Sequence, residues 1–267
     1  MTKASVRGVL MTGAVAVAIG LSAAHPSDGR PAGGSASTAV SEVAALGTEA
    51  AELGAISGIV RFESEVPPQK RIRVTADNEN CGTHKLSESF LVSPETKGLK
   101  NVLVTVEGVV GGSAATPDKQ ISLEQRSCMY VPHFQVAQLG PEGIAVEIRN
   151  TDPTLHNIHA YHGQTTLFNI GQPASGRTRT KKLTTPGVVR VRCDVHRWMS
   201  AFIVVLENQP YYTVTDESGN FSIEGVPAGS YTLRAWHEAI GEVKKPVAVT
   251  AAETTRLDFI IAPDGGD

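Results

Sequence analysis

Cys193-Asp-Val-His196-Arg-Trp-Met199 is the stretch on which the reading of the fold turns, together with the runs Val188-Val-Arg-Val-Arg192 before it and Ala201-Phe-Ile-Val-Val-Leu-Glu207 after it. It sets a thiolate, an imidazole and a thioether at the spacing C-x2-H-x2-M, in a short turn between two strand-like runs. A trigonal pair of histidines with a cysteine and a weak axial methionine is the ligand set of copper that cycles between Cu(I) and Cu(II). One more histidine is required, from an earlier strand. His156, in Asn150-Thr-Asp-Pro-Thr-Leu-His156-Asn157, is the candidate.

The segments around this stretch read as strands. "GAISGIVRF", "RIRVT", "NVLVTVEG", "ISLEQ", "HFQVAQL", "IAVEIRN", "NIHAYH", "VVRVRC" and "AFIVVLE" alternate or run apolar, with Gly, Pro, Asn and Asp between them. With 26 glycines and 15 prolines and few helix-forming runs beyond residue 60, the composition favours short strands joined by turns. A length of 267 residues allows one or two domains.

The N-terminus has the pattern of a secretory signal over residues 1–24: Lys3 and Arg7, the apolar run Val9–Leu21, then Ser22-Ala23-Ala24 as a cleavage site. The apolar run is short for a membrane span, and no later segment could cross a bilayer. Residues 25–53, rich in Ala, Ser, Gly and Pro, read as a flexible linker, and 263–267 as a tail. An exported, periplasmic location follows as the expectation. Removing Lys3 and Arg7 from 24 basic residues leaves 22 against 27 acidic ones, a balance of −5, which gives no reason to expect a nucleic-acid partner.

Two family resemblances frame these pieces. From about Met129 to Leu206 the chain resembles a cupredoxin, the small β-sandwich of plastocyanins and amicyanins. "MYVPHFQVAQLGPEGIAVEIRNTDPTLHNI" is similar to the family's aromatic, Pro, strand, Gly turn, strand and N-x-D…H-N, and "TTPGVVRVRCDVHRWMSAFIVV" to its ligand loop and last strand. After Pro210, "YYTVTDESGNFSIEGVPAGSYTLRAWHE" resembles the carboxypeptidase regulatory-like module, a transthyretin-like sandwich. That module's first strand is missing just upstream, but "ISGIVRF" and "NVLVTVEG" fit it. The implied fold is therefore all-β: a cupredoxin Greek-key sandwich plus a regulatory-like one. The expected order is first strands of the regulatory-like sandwich at 54–117, cupredoxin at 118–207, and the remainder of the regulatory-like sandwich at 208–262. Two tandem domains are the alternative arrangement. Small periplasmic plastocyanin-like or methylamine-utilisation-like proteins show this combination.

The resemblance implies one mononuclear copper held by His156, Cys193, His196 and Met199. Asn157 would brace the cysteine sulfur through its backbone, and Trp198 and Phe202 would shield the site from water. His133, His159 and His162 are further candidate ligands, for a fifth position or a second metal, against the plainer reading of surface or hydrogen-bonding histidines. In an exported protein with three cysteines, assigning Cys193 to copper leaves Cys81 and Cys128 to pair; three unrelated core cysteines is the alternative.

The function expected is a one-electron carrier working with a redox partner protein, and not an enzyme. Arg190, Arg192, Arg197 and "RTRTKK" at 177–182 could steer an acidic partner, or form an ordinary solvated face. A non-redox copper-handling or structural module on the same scaffold is the alternative. An iron oxidoreductase using Tyr211, Tyr212, Tyr231 and His237 is a weaker third, since their order and spacing match no such site.

Overall fold

The computed structural model describes residues 52–109 and 115–262; the expected signal segment, most of the linker and the tail lie outside them. Strand β1 (Leu53–Phe62) is followed by β2 (Arg71–Arg73), the single turn α1 (Asn78–Cys81), β3 (His84–Leu86) and β4 (Leu103–Glu107). A run without helix comes next: β5 (Gln120–Arg126), β6 (Met129–Val131), β7 (Phe134–Gln138), β8 (Ile144–Asn150), β9 (His156–His162), β10 (Thr165–Gln172), β11 (Arg179–Leu183), β12 (Gly187–Arg192) and β13 (Ser200–Leu206). The chain closes with β14 (Tyr212–Val214), β15 (Asn220–Pro227), β16 (Gly229–His237), β17 (Gly241–Val249), β18 (Thr254–Arg256) and β19 (Phe259–Ile261).

The fold is all-β and consists of two sandwiches. In the first, β15-β1-β18, with β19 also on β1, faces β14-β4-β16-β17. Between the sheets lies an apolar layer that includes Ile56, Val60, Val104, Leu233 and Phe259. In the second, β10-β9-β12-β13-β7 faces β11-β8-β5-β6, around Ile144, Ile148, Ile158, Val191 and Ile203. The first sandwich is thus assembled from both ends of the described chain. Strand β4 leaves it, the second sandwich is built, and β14 returns to pair with β4 at Tyr212–Thr105. The turn into β15 depends on Gly219, at φ 80: a Cβ there would lie 2.5 Å from the Cα of Gly98.

Continuous apolar runs mark the strands buried on both faces. In "AFIVVL" of β13, Ala201, Ile203 and Val205 enter the second core, while Phe202, Val204 and Leu206 point the other way. Those outer side chains meet Leu103, Tyr212, Val214 and Trp236 of the first sandwich, so a third apolar layer joins the two. At its border His133 makes a buried ion pair with Glu238.

Residues 71–86, expected among the first strands of the regulatory-like sandwich, do something else. They form a separate hairpin in which Arg71 faces Leu86 and Arg73 faces His84, with α1 at its tip. Its buried tip residues Val74 and Cys81 belong to the core of the second sandwich. Cys81 is bonded to Cys128 there.

Candidate metal centre

The pairing of β12 with β9 and β13 builds the site. Val191 sits opposite Ala160 and Ala201, and Arg192 opposite His159 and Ser200, so the loop leaving β12 emerges beside the start of β9. That loop is Cys193–Met199. It is closed by backbone bonds from Cys193 N to Met199 O (3.3 Å) and from Met199 N to His196 O (2.9 Å). The His196 N–H points at the Cys193 sulfur at 3.3 Å.

His156, at the start of β9, comes in from the neighbouring strand. Its Nδ1 lies 2.7 Å from Nδ1 of His196, and that nitrogen lies 3.9 Å from Cys193 Sγ. One donor atom from each of His156, Cys193 and His196 falls within 4.8 Å of the others. His156, His196 and Met199 are fully buried, and Cys193 is 2% exposed. Burial pushes the His156 imidazole below its ordinary range, and neighbouring His196 adds to this.

The two rings are held alike. His156 Nε2 faces Asp152 Oδ2 at 2.9 Å, and His196 Nε2 faces Asp77 Oδ2 at 2.8 Å. An imidazole that donates its Nε2–H to a carboxylate presents a bare lone pair at Nδ1. Two such lone pairs then meet the sulfur in a space closed to water, where no protein donor satisfies them all. A cation fits this donor set. Carboxylates behind metal-bound histidines fix the tautomer and raise ligand basicity.

Asp152 is itself fixed. It is 6% exposed and accepts the amides of Ser127 (2.6 Å) and Cys128 (2.7 Å). Asp77 instead arrives on the hairpin tip and also accepts the Thr154 hydroxyl at 2.8 Å. That bond, together with His196, holds its carboxyl below the usual carboxylate range.

The other sequence candidates separate clearly. Asn157 does brace the sulfur, but through its side chain: Oδ1 accepts from Cys193 Sγ at 3.3 Å and from the Asp194 amide at 2.6 Å. Its backbone carbonyl instead takes the Tyr130 hydroxyl. The Trp198 ring lies 4.9 Å from the His196 ring, tilted by 48°, and donates its indole N–H to Cys128 O at 3.0 Å. Phe202 does not shield the site, because strand alternation turns it to the junction near Trp236.

None of His133, His159 and His162 joins the cluster. His133 bonds Ser200 O and Glu238 between the sandwiches. His159, on the outer face of β9, bonds Asp194 and Thr166. His162 shares the face of His156 but lies six residues, or about 20 Å, further along the strand and packs against Gly187. Sequence reasoning missed Asp77, for which Cys81 four residues on was the one available signal.

Tyr211, Tyr212, Tyr231 and His237 all belong to the first sandwich, away from this cluster. Of the basic residues, Arg190 lies over the Tyr161 ring at 5.6 Å, while Arg192 and Arg197 are exposed. No helix among the described residues is long and apolar enough to cross a membrane.

Residues 190–262 match the family model of the carboxypeptidase regulatory-like domain. The match begins inside β12 and so includes the Cys193–Met199 loop, which belongs structurally to the other sandwich. No curated protein sequence matches the chain. Among solved structures, the purple cupredoxin from Nitrosopumilus maritimus is similar at 20% identity, over 32% of this chain and 98% of that one, with a TM-score of 0.28. A reduced Cu(I) form of an amicyanin point mutant is 20% identical over 39% of this chain and 98% of that one, with a TM-score of 0.29. A copper-containing nitrite reductase from Thermus scotoductus SA-01 is 20% identical over 37% of this chain and 25% of that one, with a TM-score of 0.29.

Proposed function

We propose that the protein binds a single copper ion through His156, Cys193, His196 and Met199 and serves as an exported one-electron carrier for a redox partner protein, without turning over a substrate itself. The observation that carries this reading is the buried convergence of His156 Nδ1, His196 Nδ1 and Cys193 Sγ within 4.8 Å. Copper in such a set supplies one-electron chemistry, because sulfur favours Cu(I) and imidazole favours Cu(II).

The chain's own contribution is rigidity and dryness. Asp152 and Asp77 fix both rings, the His196 amide donates to the cysteine sulfur, Asn157 Oδ1 holds the Asp194 amide of the loop, and Trp198 covers His196. A donor set fixed before and after a change of charge rearranges little, which suits electron transfer better than storage. The complete burial of both histidines supports the same choice, since a storage site needs ready exchange with solvent.

The test is a visible absorption spectrum of the protein with Cu(II), beside a Cys193→Ser variant. The expected outcome is an intense thiolate-to-copper band that the variant lacks. A spectrum without the band, or one that survives the substitution, would sink the carrier reading.

A further inference from the structure

Asp77 is the one group at the centre that the metal-site sandwich does not supply. It lies 119 residues from His196 in sequence, on a hairpin that interrupts the other sandwich. Three contacts seat the tip. Val74 is 2% exposed within the second core, Cys81 is bonded to Cys128, and Asp77 accepts from Thr154. Between Val74 and Cys81 the tip is exposed except for half-buried Ala76, so no apolar burial accounts for the placement of the Asp77 side chain itself.

The backbone at Asp77 supports a directed role. The residue takes the left-handed conformation, φ 51 and ψ 40, at the head of α1, yet its side chain makes no capping bond to that turn. Aspartate at a helix start ordinarily caps it. Here the carboxylate is turned to His196 and Thr154 instead. His196 is fully buried although the Asp77 side chain over its Nε2 is 40% exposed. The carboxylate therefore lies between the ring edge and water.

We propose that Asp77 is a positioning residue of the metal centre, carried in by the β2–β3 hairpin and clamped by the Cys81–Cys128 bridge, which fixes the His196 ring and closes its outer edge to solvent. This rests on the reading of the cluster as a metal centre. The hairpin makes the centre depend on a segment outside the two large sheets of its own sandwich, since loosening it would free His196 without touching any ligand.

The first test uses the metal-free full chain, so that it stands apart from copper binding. Diethyl pyrocarbonate labelling is followed at each histidine by mass spectrometry, with exposed His84 as the internal reference and buried His156 as the folding control. His196 is expected to label slowly in the wild type and in Asp77→Asn, which keeps an acceptor oxygen. In Asp77→Ala it should label about tenfold faster, as a local opening would allow, with His156 still protected. Unchanged His196 protection in Asp77→Ala overturns the proposal. So does loss of protection at His156 as well, because opening is then global and Asp77 only structural.

The second test measures Cu(II) affinity by chelator competition. Asp77→Ala should weaken binding about 10- to 100-fold, the usual effect of removing a carboxylate behind a histidine ligand, with Asp77→Asn in between. Equal affinity in all three overturns the proposal. Absence of Cu(II) binding in the wild type would defeat the carrier reading, and the labelling result would still decide the role of Asp77.

Discussion

The two sandwiches share a construction and differ in what they bury. Among the described residues, the first buries only Thr105, Thr215 and His237 as polar side chains, against an otherwise apolar interior. The second buries Gln125, Asn150, Asp152, Thr154, His156, Asn157, Gln172 and His196, most of them gathered near the mouth of β9. Each of these makes at least one side-chain bond, although Gln125 Oε1 has no partner, and Asn150 Nδ2 alone donates to three carbonyls, those of Thr154, Gln172 and Pro173. Buried polar groups cost stability unless bonded, so a concentration of them marks a place kept for something other than packing. The contrast teaches that one sandwich is a scaffold and the other a scaffold with a chemical end.

That division can be broken most severely at the hairpin clamp. Replacing both Cys81 and Cys128 by Ala releases a 47-residue loop and should cost about 4 kcal/mol of stability, read from urea unfolding. A loss well under that would mean the hairpin holds without its bridge. Next comes Asp152→Ala, which strands the buried amide of Cys128 and the Nε2–H of His156 and should cost about 3 kcal/mol. Were it harmless, the polar end would not be the tightly bonded structure described above.

The scaffold sandwich has its own weak point in His237, whose imidazole is lowered to about 4 by burial and by nearby His133. Between pH 6.5 and about 4 the unfolded chain binds a proton there that the folded one does not. Stability should therefore fall as pH drops through this window and level off below it, by about 3 kcal/mol from this group. Comparing the metal-free wild type with His237→Gln isolates that share, and parallel pH profiles would refute it. His133 works in the opposite sense. Burial opposes its charge, but Glu238 raises its pKa overall, so its stabilisation is present at low pH and fades as pH rises. The smallest stability effect belongs to Asp77→Ala, with under about 1 kcal/mol expected because the carboxylate is half in water. A much larger loss would sharpen the picture differently, making the hairpin part of the core.

What the sequence revealed follows from how local each signal is. The convergence of His156, Cys193 and His196 was legible because the last two share one short loop and His156 opens a strand whose pattern is plain. Strand β13, buried on both faces, announced itself by the unbroken apolar run Ala201–Leu206, and β4 by a run broken only at Thr105 before Glu107. Strands β10 and β11, Thr165–Gln172 and Arg179–Leu183, did not, because each pairs on one side only and is largely exposed. Strand β17 was masked by Pro246, tolerated because this strand too lies at a sheet edge. Phe202 was misplaced for want of its face: one step along a strand separates the core of the second sandwich from the junction. Asp77 was illegible, since no local pattern ties a residue to a histidine 119 positions away.

The insertion of one sandwich into the other has a consequence for the order of assembly. The first sandwich needs contacts as remote as Ile59 to Asp258, 199 residues apart, so it cannot form until its last strands have left the ribosome. The second is complete in sequence by Leu206 and relies on nearer neighbours, which favours its earlier closure. Once folded it draws the end of β4 to the start of β14, replacing a long floppy chain by a rigid spacer. The entropy of closing that loop is then already met when β14 to β19 emerge. The half that holds the histidine–cysteine cluster thereby acts as a folding jig for the half that encloses it in sequence.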